Sequence, residues 1–449
     1  MTDHARVLFR PRAAVSIVIA NMVGTGVFTS LGFQLVDIES GFVLMLLWFV
    51  GGVIAFCGAM SYAELGAALP RSGGEYNFLG RIYHPAAGFV SGWISATVGF
   101  AGPTALAAMT FASYLAAAVP GVPARSVAIA LVVALTIVHA THRRASGGVQ
   151  VAFTAIKVLL IIGFCVLALS AVDSAQLVGF APATGDGGLV ASGAFAVSLI
   201  YVSYAYTGWN VATYLSSELE SPQKYLPRVL GGGTLIVIAL YLALNYTFLH
   251  VAPIEAMRGK VEIGYVAAEY AFGANGARIM GVILALLLIS TVSAMIIAGP
   301  RVYQAIGQDH EMFAWLARTN RHGVPAFAIY AQGALTVLFI VTSPFQFILL
   351  FSGFTLALNT LAAVVGLFVL RWREPDLPRP FKAWGYPVTP IIFMALTAWT
   401  LVFVLVDQPK AGLLGLAVVA LGVVFYFATA HGRGPGLVAD KPADARTEG

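Results

Sequence analysis

Long runs of apolar residues alternate with short polar segments along almost the whole chain. A helix needs about 20 mostly apolar residues to cross a bilayer, and this length predicts about twelve spans. We number them 1 to 12 and place them at residues 13–36, 41–68, 85–118, 124–141, 149–171, 190–217, 228–251, 277–306, 325–342, 345–370, 388–407 and 411–430. The runs are continuous and far longer than the roughly ten residues of a barrel strand, which excludes a transmembrane β-barrel.

The composition supports a membrane location, because 59% of the residues are hydrophobic and only 10% are charged. A soluble domain carries about 25% charged residues, and one with so few charges would expose large apolar patches. The composition also excludes a disordered chain, a nucleic-acid-binding module and a disulfide-stapled secreted domain. Cys57 and Cys165 lie inside apolar runs, so we expect neither a disulfide nor a metal site.

The positive charges lie mostly on one side of the predicted bundle. Nineteen of the 25 Lys and Arg residues fall in loops on one side, five fall on the other side, and Lys157 lies inside span 5. This bias predicts that both termini are cytoplasmic. Residues 1–12 then form a cytoplasmic N-terminus, and the polar residues 431–449 form a disordered cytoplasmic tail. On the outer side, residues 261–273 are expected to form a short helix across the membrane surface.

Spans 1 and 6 each contain a Thr-Gly pair near the middle, in Gly24-Thr25-Gly26 and in Thr207-Gly208. Glycine in a membrane helix most often lets two backbones approach each other. Spans 1 and 6, however, run in opposite directions, and interruptions at matching positions of two inverted halves are typical of a transporter's substrate site. The backbone groups freed by such breaks need a ligand, an ion or water, because hydrocarbon offers them no partner.

The two breaks predict opposite poles for a bound molecule. A half-helix that begins after Gly26 directs its positive end at the break and suits a carboxylate. Carbonyl oxygens at the end of the first half of span 6, near Tyr204 to Thr207, suit an ammonium group. Together these poles predict a site for a zwitterionic amino acid.

Several motifs occur in a fixed order along the spans, namely Gly24 to Phe28, Ser61 to Leu65, Pro70 with Ser72 to Tyr76, Tyr204 to Asn210, Ser217 to Pro222 with Pro227-Arg228, Gly299 to Tyr303 and Arg371 to Pro387. Each is weak alone, but all of them in this order are specific. They resemble the amino acid–polyamine–organocation superfamily and, within it, the L-type amino-acid transporter branch.

The resemblance implies an all-α membrane protein with discontinuous helices 1 and 6. Its core is a five-plus-five inverted repeat at 13–171 and 190–370, followed by spans 11 and 12 at 388–430. It also implies alternating access, with Tyr204 as the aromatic gate where the family usually has Phe. The substrate-binding residues implied are Val23, Gly24, Thr25, Gly26, Val27, Tyr204, Tyr206, Thr207 and Gly208.

Lys157 lies about 12 Å along span 5, at 1.5 Å per residue. A charge at bilayer depth costs about 2.5–3.5 kcal/mol, so we expect the ammonium to face the bundle and to have partners. The resemblance implies that it occupies the position of the sodium ion in sodium-coupled relatives. There it would bridge the unwound part of span 1 to span 8, where the candidate hydroxyls are those of Ser290, Thr291 and Ser293.

These features predict a secondary transporter that moves small to medium neutral L-amino acids across the plasma membrane by exchange. Proton symport and a transporter-like sensor remain alternatives. An intramembrane enzyme is disfavoured, because Asp37, Asp173, Asp186 and Asp407 all lie at span ends. Thr207 should narrow the site, since relatives with large substrates often have Gly at that position. Glu64 and Glu218 are either an inner gate with Arg partners or interfacial carboxylates in water, and the second interpretation is slightly favoured.

The expected partners are a neutral L-amino acid and the lipid bilayer, with no nucleic acid, cofactor or metal. Animal members of the branch attach a heavy subunit through a cysteine in the loop after span 3. That loop, about Val119 to Arg125, has no cysteine here, so no disulfide-linked heavy subunit is expected. The compact loops fit a bacterial carrier that acts as a monomer or a weak homo-oligomer.

We predict that uptake does not depend on sodium, because the Lys157 ammonium already supplies the cation. The rate of amino acid uptake should be the same when choline replaces sodium in the buffer. Uptake that vanishes in choline would contradict this assignment.

Overall fold

The computed structural model describes residues 11–71, 73–141, 147–172, 178–219, 221–309, 313–321 and 323–430. Ten helices in this part of the chain are long and apolar enough to cross a membrane, and two shorter apolar helices accompany them. The predicted all-α membrane fold with about twelve spans is therefore confirmed. Most of the predicted N-terminal segment 1–12 and the whole predicted tail 431–449 lie outside the described residues.

Most spans are single helices. They are Gly41–Ala68 (span 2), Ala124–Thr141 (span 4), Gly147–Ala171 (span 5), Pro222–Val251 (span 7), Ala326–Thr342 (span 9), Phe345–Arg373 (span 10), Val388–Asp407 (span 11) and Pro409–Ala430 (span 12). Span 3 consists of Pro85–Ile94, a π-helix at Ser95–Gly99 and Ala101–Ala118.

Spans 1 and 6 are interrupted. Span 1 is formed by helices Pro11–Met22 and Gly26–Gln34. Span 6 is formed by helix Gly193–Ala205 and a 3₁₀ segment at Val211–Glu218. The breaks fall at the predicted Thr-Gly pairs, so the local glycine signal located both of them correctly.

Span 8 differs from its predicted bounds of 277–306. Helix Ile263–Ala298 contains one non-helical residue, Gly273, with φ of 72° and ψ of −178°. Gly273 separates span 8 from the short outer helix that the sequence predicted. A second helix, Pro300–Asp309, begins after Gly299, because proline lacks the amide that would continue the preceding helix. The predicted span therefore ends about two turns earlier than expected.

In the described part of the chain, helices of eight residues or fewer also connect the spans, at Glu75–Ile82, Asp186–Val190, Ile254–Met257 and Ala314–Ala317. The Glu75–Ile82 helix lies between spans 2 and 3. Because it is only eight residues long, the pattern of apolar runs of about 20 residues did not predict it. We call the end of the bundle that carries this helix and the segment 371–387 the arginine-rich end.

A buried ion pair fastens span 2 at the arginine-rich end. The Glu64 side chain is only 1% exposed, and it accepts hydrogen bonds from Arg371 Nε at 2.8 Å and Nη2 at 2.7 Å. The amide of Ala383 donates to it at 2.6 Å, and Arg379 Nε lies 3.7 Å away. The favoured interpretation of Glu64 as a carboxylate in water is therefore wrong, because the side chain is buried against Arg371, in the last turn of span 10, and Ala383, in the segment that follows it. The side chain of Glu218 lies outside the described part.

We predict that Glu64→Gln destabilises the protein, because it leaves buried arginine charge without its carboxylate. The expected loss is about 3–5 kcal/mol, measured as a lower thermal unfolding midpoint in detergent. The matched control is Glu374→Gln. Glu374 pairs with Arg81 at 2.6 Å, but the two side chains are 32% and 51% exposed, so the expected loss is about 0–1 kcal/mol. Equal shifts in both variants would contradict a stabilising role for the buried pair.

Candidate functional site

The break in span 1 presents unpaired backbone amides. The first helix closes with the Gly24 amide on the Met22 carbonyl at 2.7 Å, and the second begins at Gly26. Amides in the first turn of a helix have no acceptor within that helix. The Phe28 amide donates to the Thr25 carbonyl at 3.0 Å, but the Thr25 side chain caps none of the amides before it. The positive end of the helix dipole adds to their attraction for an anion. This turn can therefore accept a carboxylate.

The break in span 6 presents carbonyl oxygens, some of which already have partners. Gly208 has φ of 102°, a conformation that favours glycine. The Tyr204 carbonyl accepts the Thr207 amide at 3.0 Å and the Thr207 hydroxyl at 2.6 Å. A carbonyl oxygen has two lone pairs, so Tyr204 has little capacity left for an ammonium group. Of the carbonyl oxygens predicted to bind an ammonium group, those that remain available are therefore the ones after Tyr204.

The two breaks touch each other. A Cβ on Gly26 would lie 2.4 Å from Ala205 Cα, and a Cβ on Gly208 would lie 2.8 Å from the carbonyl oxygen of Asn21. The Tyr241 hydroxyl of span 7 contacts the carbonyls of Met22 at 2.5 Å and Ala205 at 3.1 Å. Close backbone approach thus explains both glycines, and it brings the predicted anion pole next to the predicted cation pole.

Lys157 reaches this junction from span 5. Its side chain is only 6% exposed, and its ammonium donates to Thr291 Oγ1 at 2.8 Å and to the Val23 carbonyl at 3.4 Å. The other two candidate hydroxyls are engaged elsewhere, because Ser290 donates to Leu287 of its own helix and Ser293 pairs with His139 Nε2 at 2.8 Å. Of the three predicted hydroxyls, the structure brings Thr291 to Lys157.

Tyr204 lies between the two breaks. Its side chain is 6% exposed, and its hydroxyl lies near the side chain of Thr25. The tyrosine therefore brings the end of the first half of span 6 close to the break in span 1.

A cavity of about 1850 Å³ surrounds the junction. Ligand pockets for small molecules are about 300–1,000 Å³, so this cavity includes an access route as well as a site. The predicted residues that line it are Gly24, Thr25, Gly26, Tyr204, Tyr206, Thr207, Gly208, Ser290, Thr291 and Ser293.

Three predicted binding residues have side chains that point elsewhere. Val23 and Val27 are fully buried and do not line the cavity, so only their backbone can serve the site. The Tyr206 side chain is also fully buried, and its hydroxyl donates to the Trp48 carbonyl at 3.2 Å. These side chains pack in the core because positions in and beside a break can still face neighbouring spans.

The cavity opens towards the arginine-rich end. Its described lining there includes Ser16, Gly73, Tyr76 and Arg301. At the opposite end the described residues pack tightly. The rings of Phe33 and Phe345 stack 5.6 Å apart, and the Gly259 amide donates to the Gly32 carbonyl at 2.7 Å. The site is therefore accessible from one end of the bundle and closed at the other.

Sequence reasoning missed a second group of cavity residues, which includes Glu75, Asn210, Tyr214 and the π-helix of span 3. Pro103 was a usable signal for the π-helix, because it lacks the amide that would bond the Gly99 carbonyl. Among the described residues, no group of three His, Cys, Asp or Glu side chains could hold a metal ion.

Two interrupted helices meet at a cavity that opens at only one end of the bundle. This arrangement is typical of membrane transporters built with discontinuous helices. The comparisons with known proteins agree, since residues 9–427 match the amino acid permease family. The chain therefore belongs to the amino acid permease family, and it is an amino acid transporter.

Curated relatives are similar over most of their length. The chain is 30% identical to the large neutral amino acids transporter small subunit 2 of Mus musculus, covering 92% of this chain and 79% of the relative. It is 27% identical to the Asc-type amino acid transporter 1 of Mus musculus over the same shares. Identity to the b(0,+)-type amino acid transporter 1 of Mus musculus is 24%, covering 92% of this chain and 86% of the relative.

We predict that Gly26→Ala impairs amino acid binding far more than Gly24→Ala. The added methyl at position 26 would lie 2.4 Å from Ala205 Cα, whereas at position 24 the nearest atom is 3.9 Å away. We expect Gly26→Ala to weaken binding at least about tenfold, or about 1.4 kcal/mol. Binding of a radiolabelled neutral amino acid to the purified protein measures this. Similar losses in both variants would contradict the contact between the breaks.

Proposed function

We propose that the chain is a sodium-independent exchanger of small to medium neutral L-amino acids. It works by alternating access in a bacterial plasma membrane, with both termini and the arginine-rich end in the cytoplasm. The observation that carries the proposal is the contact of the two breaks beside the buried ammonium of Lys157. Two relatives, a large neutral and an Asc-type amino acid transporter, support the substrate class.

In this proposal the substrate carboxylate binds the first-turn amides after Gly24, and its ammonium group binds carbonyls of the span 6 break. Ala205 already accepts one hydrogen bond from Tyr241, so its oxygen retains one lone pair. Tyr206 and Thr207 follow it at the break. Val23 and Val27 contribute backbone groups, and Gly208 allows the two backbones to approach.

Lys157 takes the place of a coupling cation in this mechanism. A fixed ammonium that bonds Val23 and Thr291 stabilises the unwound backbone of span 1 without an ion from solution. Without substrate, the remaining backbone groups of both breaks would be unpaired in a closed site, which costs free energy. The loaded carrier should therefore change conformation more readily than the empty one, which favours exchange over net transport.

The repeat organisation and the partners belong to the same proposal. Segments 13–171 and 190–370 are taken as two inverted repeats, because each begins with an interrupted helix. The carrier acts without a disulfide-linked heavy subunit, as a monomer or a weak homo-oligomer. Tyr204 serves as the gate, and its position beside Thr25 suits closure of the site from the outer side.

Reconstitution into liposomes tests this function. Liposomes loaded with unlabelled L-alanine should accumulate labelled L-alanine by counterflow, at the same rate in sodium and in choline. Uptake into empty liposomes that requires an acidic exterior would instead support proton symport. Neither signal, with preserved amino acid binding, would support a sensor and contradict the proposal.

We predict that Thr207→Gly widens the substrate range. The change removes a side chain at the cavity wall and the hydroxyl that caps the Tyr204 carbonyl. We expect the apparent affinity for leucine and phenylalanine to rise about tenfold, or about 1.4 kcal/mol, while that for alanine falls. Competition against labelled alanine in counterflow measures both effects. An unchanged substrate profile would contradict the role of Thr207.

A further inference from the structure

A second buried polar cluster lies on the cavity wall, centred on Glu75. Its side chain is only 2% exposed. Tyr62 donates to Oε1 at 2.9 Å, Asn210 Nδ2 donates to Oε1 at 2.5 Å, and the Tyr214 hydroxyl donates to Oε2. Among the described residues, Glu75 forms no ion pair.

The three donors suit an ionised carboxylate. A carboxylate accepts hydrogen bonds at both oxygens and donates none, and each of its neighbours here can donate. Hydrogen bonds to a charged acceptor are stronger than those between neutral groups, so the three donors together stabilise the carboxylate. A neutral amide at this position would direct its own N–H groups at one of the donors.

The cluster joins parts of the bundle that are far apart in sequence. Glu75 begins the 75–82 helix, which packs closely on span 3. A Cβ on Gly88 would lie 2.9 Å from Gly80 Cα, and one on Gly92 would lie 2.9 Å from the ring of Tyr76. The Tyr214 hydroxyl also lies near Ser95 in the π-helix of span 3.

Asn210 and Tyr214, in contrast, belong to the second half of span 6, directly after Gly208. We propose that Glu75 is a positioning residue for transport, whose carboxylate holds the second half of span 6 against span 3 and thereby fixes the Gly208 side of the substrate site. This proposal rests on the proposed exchange activity only because exchange is one of the quantities that the experiment measures.

The donors of the Glu75 cluster lie on two different spans, and this difference provides a control. Asn210 and Tyr214 connect Glu75 to span 6, whereas Tyr62 connects it to span 2. Loss of the Tyr62 hydroxyl leaves both bonds to span 6. Loss of the Tyr214 hydroxyl removes one of them.

The experiment compares Glu75→Gln, Tyr214→Phe and Tyr62→Phe in the full-length protein. The control Glu374→Gln removes an exposed carboxylate at the same end of the bundle. Two readouts are taken on folded protein: alanine counterflow in liposomes, and the shift in thermal unfolding midpoint caused by saturating alanine. The second readout reports substrate binding even if the wild type does not exchange, so failure of the proposed function is distinguishable.

We expect Glu75→Gln to reduce exchange per folded carrier at least about tenfold, with a raised KM and a smaller alanine-induced shift. Tyr214→Phe should change exchange, KM and the alanine-induced shift in the same directions. The double variant, with both Glu75→Gln and Tyr214→Phe, should lose little more exchange than Glu75→Gln alone. Tyr62→Phe should lose less than about threefold, and Glu374→Gln should match the wild type. Glu75→Asp, which keeps the charge, should restore part of the activity.

Three results would overturn the inference. The first is wild-type exchange and binding in Glu75→Gln. The second is an equal loss in Tyr62→Phe and Tyr214→Phe. The third is a lower unfolding midpoint with unchanged KM and unchanged exchange per folded carrier, because that pattern reports stability alone.

Discussion

Backbone groups that leave a helix inside a membrane protein must find new partners, and two such interruptions meet in this chain. Gly26 and Gly208 let the broken helices approach until no side chain fits between them. The amides of the span 1 break and the carbonyls of the span 6 break are thereby held close together. In this region, hydrocarbon offers them no other hydrogen-bond partner. The geometry of the site follows from this requirement more than from any single side chain.

The elements around the junction keep it in place. Tyr241 contacts both broken helices from span 7, and Lys157 joins the break in span 1 to span 8 through Thr291. The pair of Glu64 with Arg371 anchors span 2 to the last turn of span 10. These contacts leave the cavity open at the arginine-rich end, while the Phe33 and Phe345 rings pack at the opposite end.

The sequence predicted the features that depend on local signals. Apolar runs located the spans, and the Thr-Gly pairs located both breaks, because glycine marks where a helix can open. The family resemblance, and not the spacing of residues, predicted that the partners of Lys157 are hydroxyls on span 8. The choice of Thr291 over its neighbours needed the structure, since three close positions on a helix point in different directions.

Features that depend on distant segments could not be predicted in the same way. Glu64 and its arginines are about 300 residues apart, and nothing local distinguishes a paired carboxylate from one in water. Glu75 stood inside a recognised motif, but its donors on span 6 became visible only when the chain was folded. Val23 and Val27 lie beside a break, yet their side chains face the core.

The central claim is that one amino acid binds with its carboxylate at the span 1 break and its ammonium at the span 6 break. Competition against labelled alanine, bound to the purified carrier, tests it most directly. Unlabelled L-alanine should compete, whereas its methyl ester, which lacks the carboxylate, and its N-acetyl derivative, which lacks the ammonium, should each compete at least about a hundredfold more weakly, or about 2.7 kcal/mol. Competition by either derivative as strong as that of L-alanine would contradict the two-pole site.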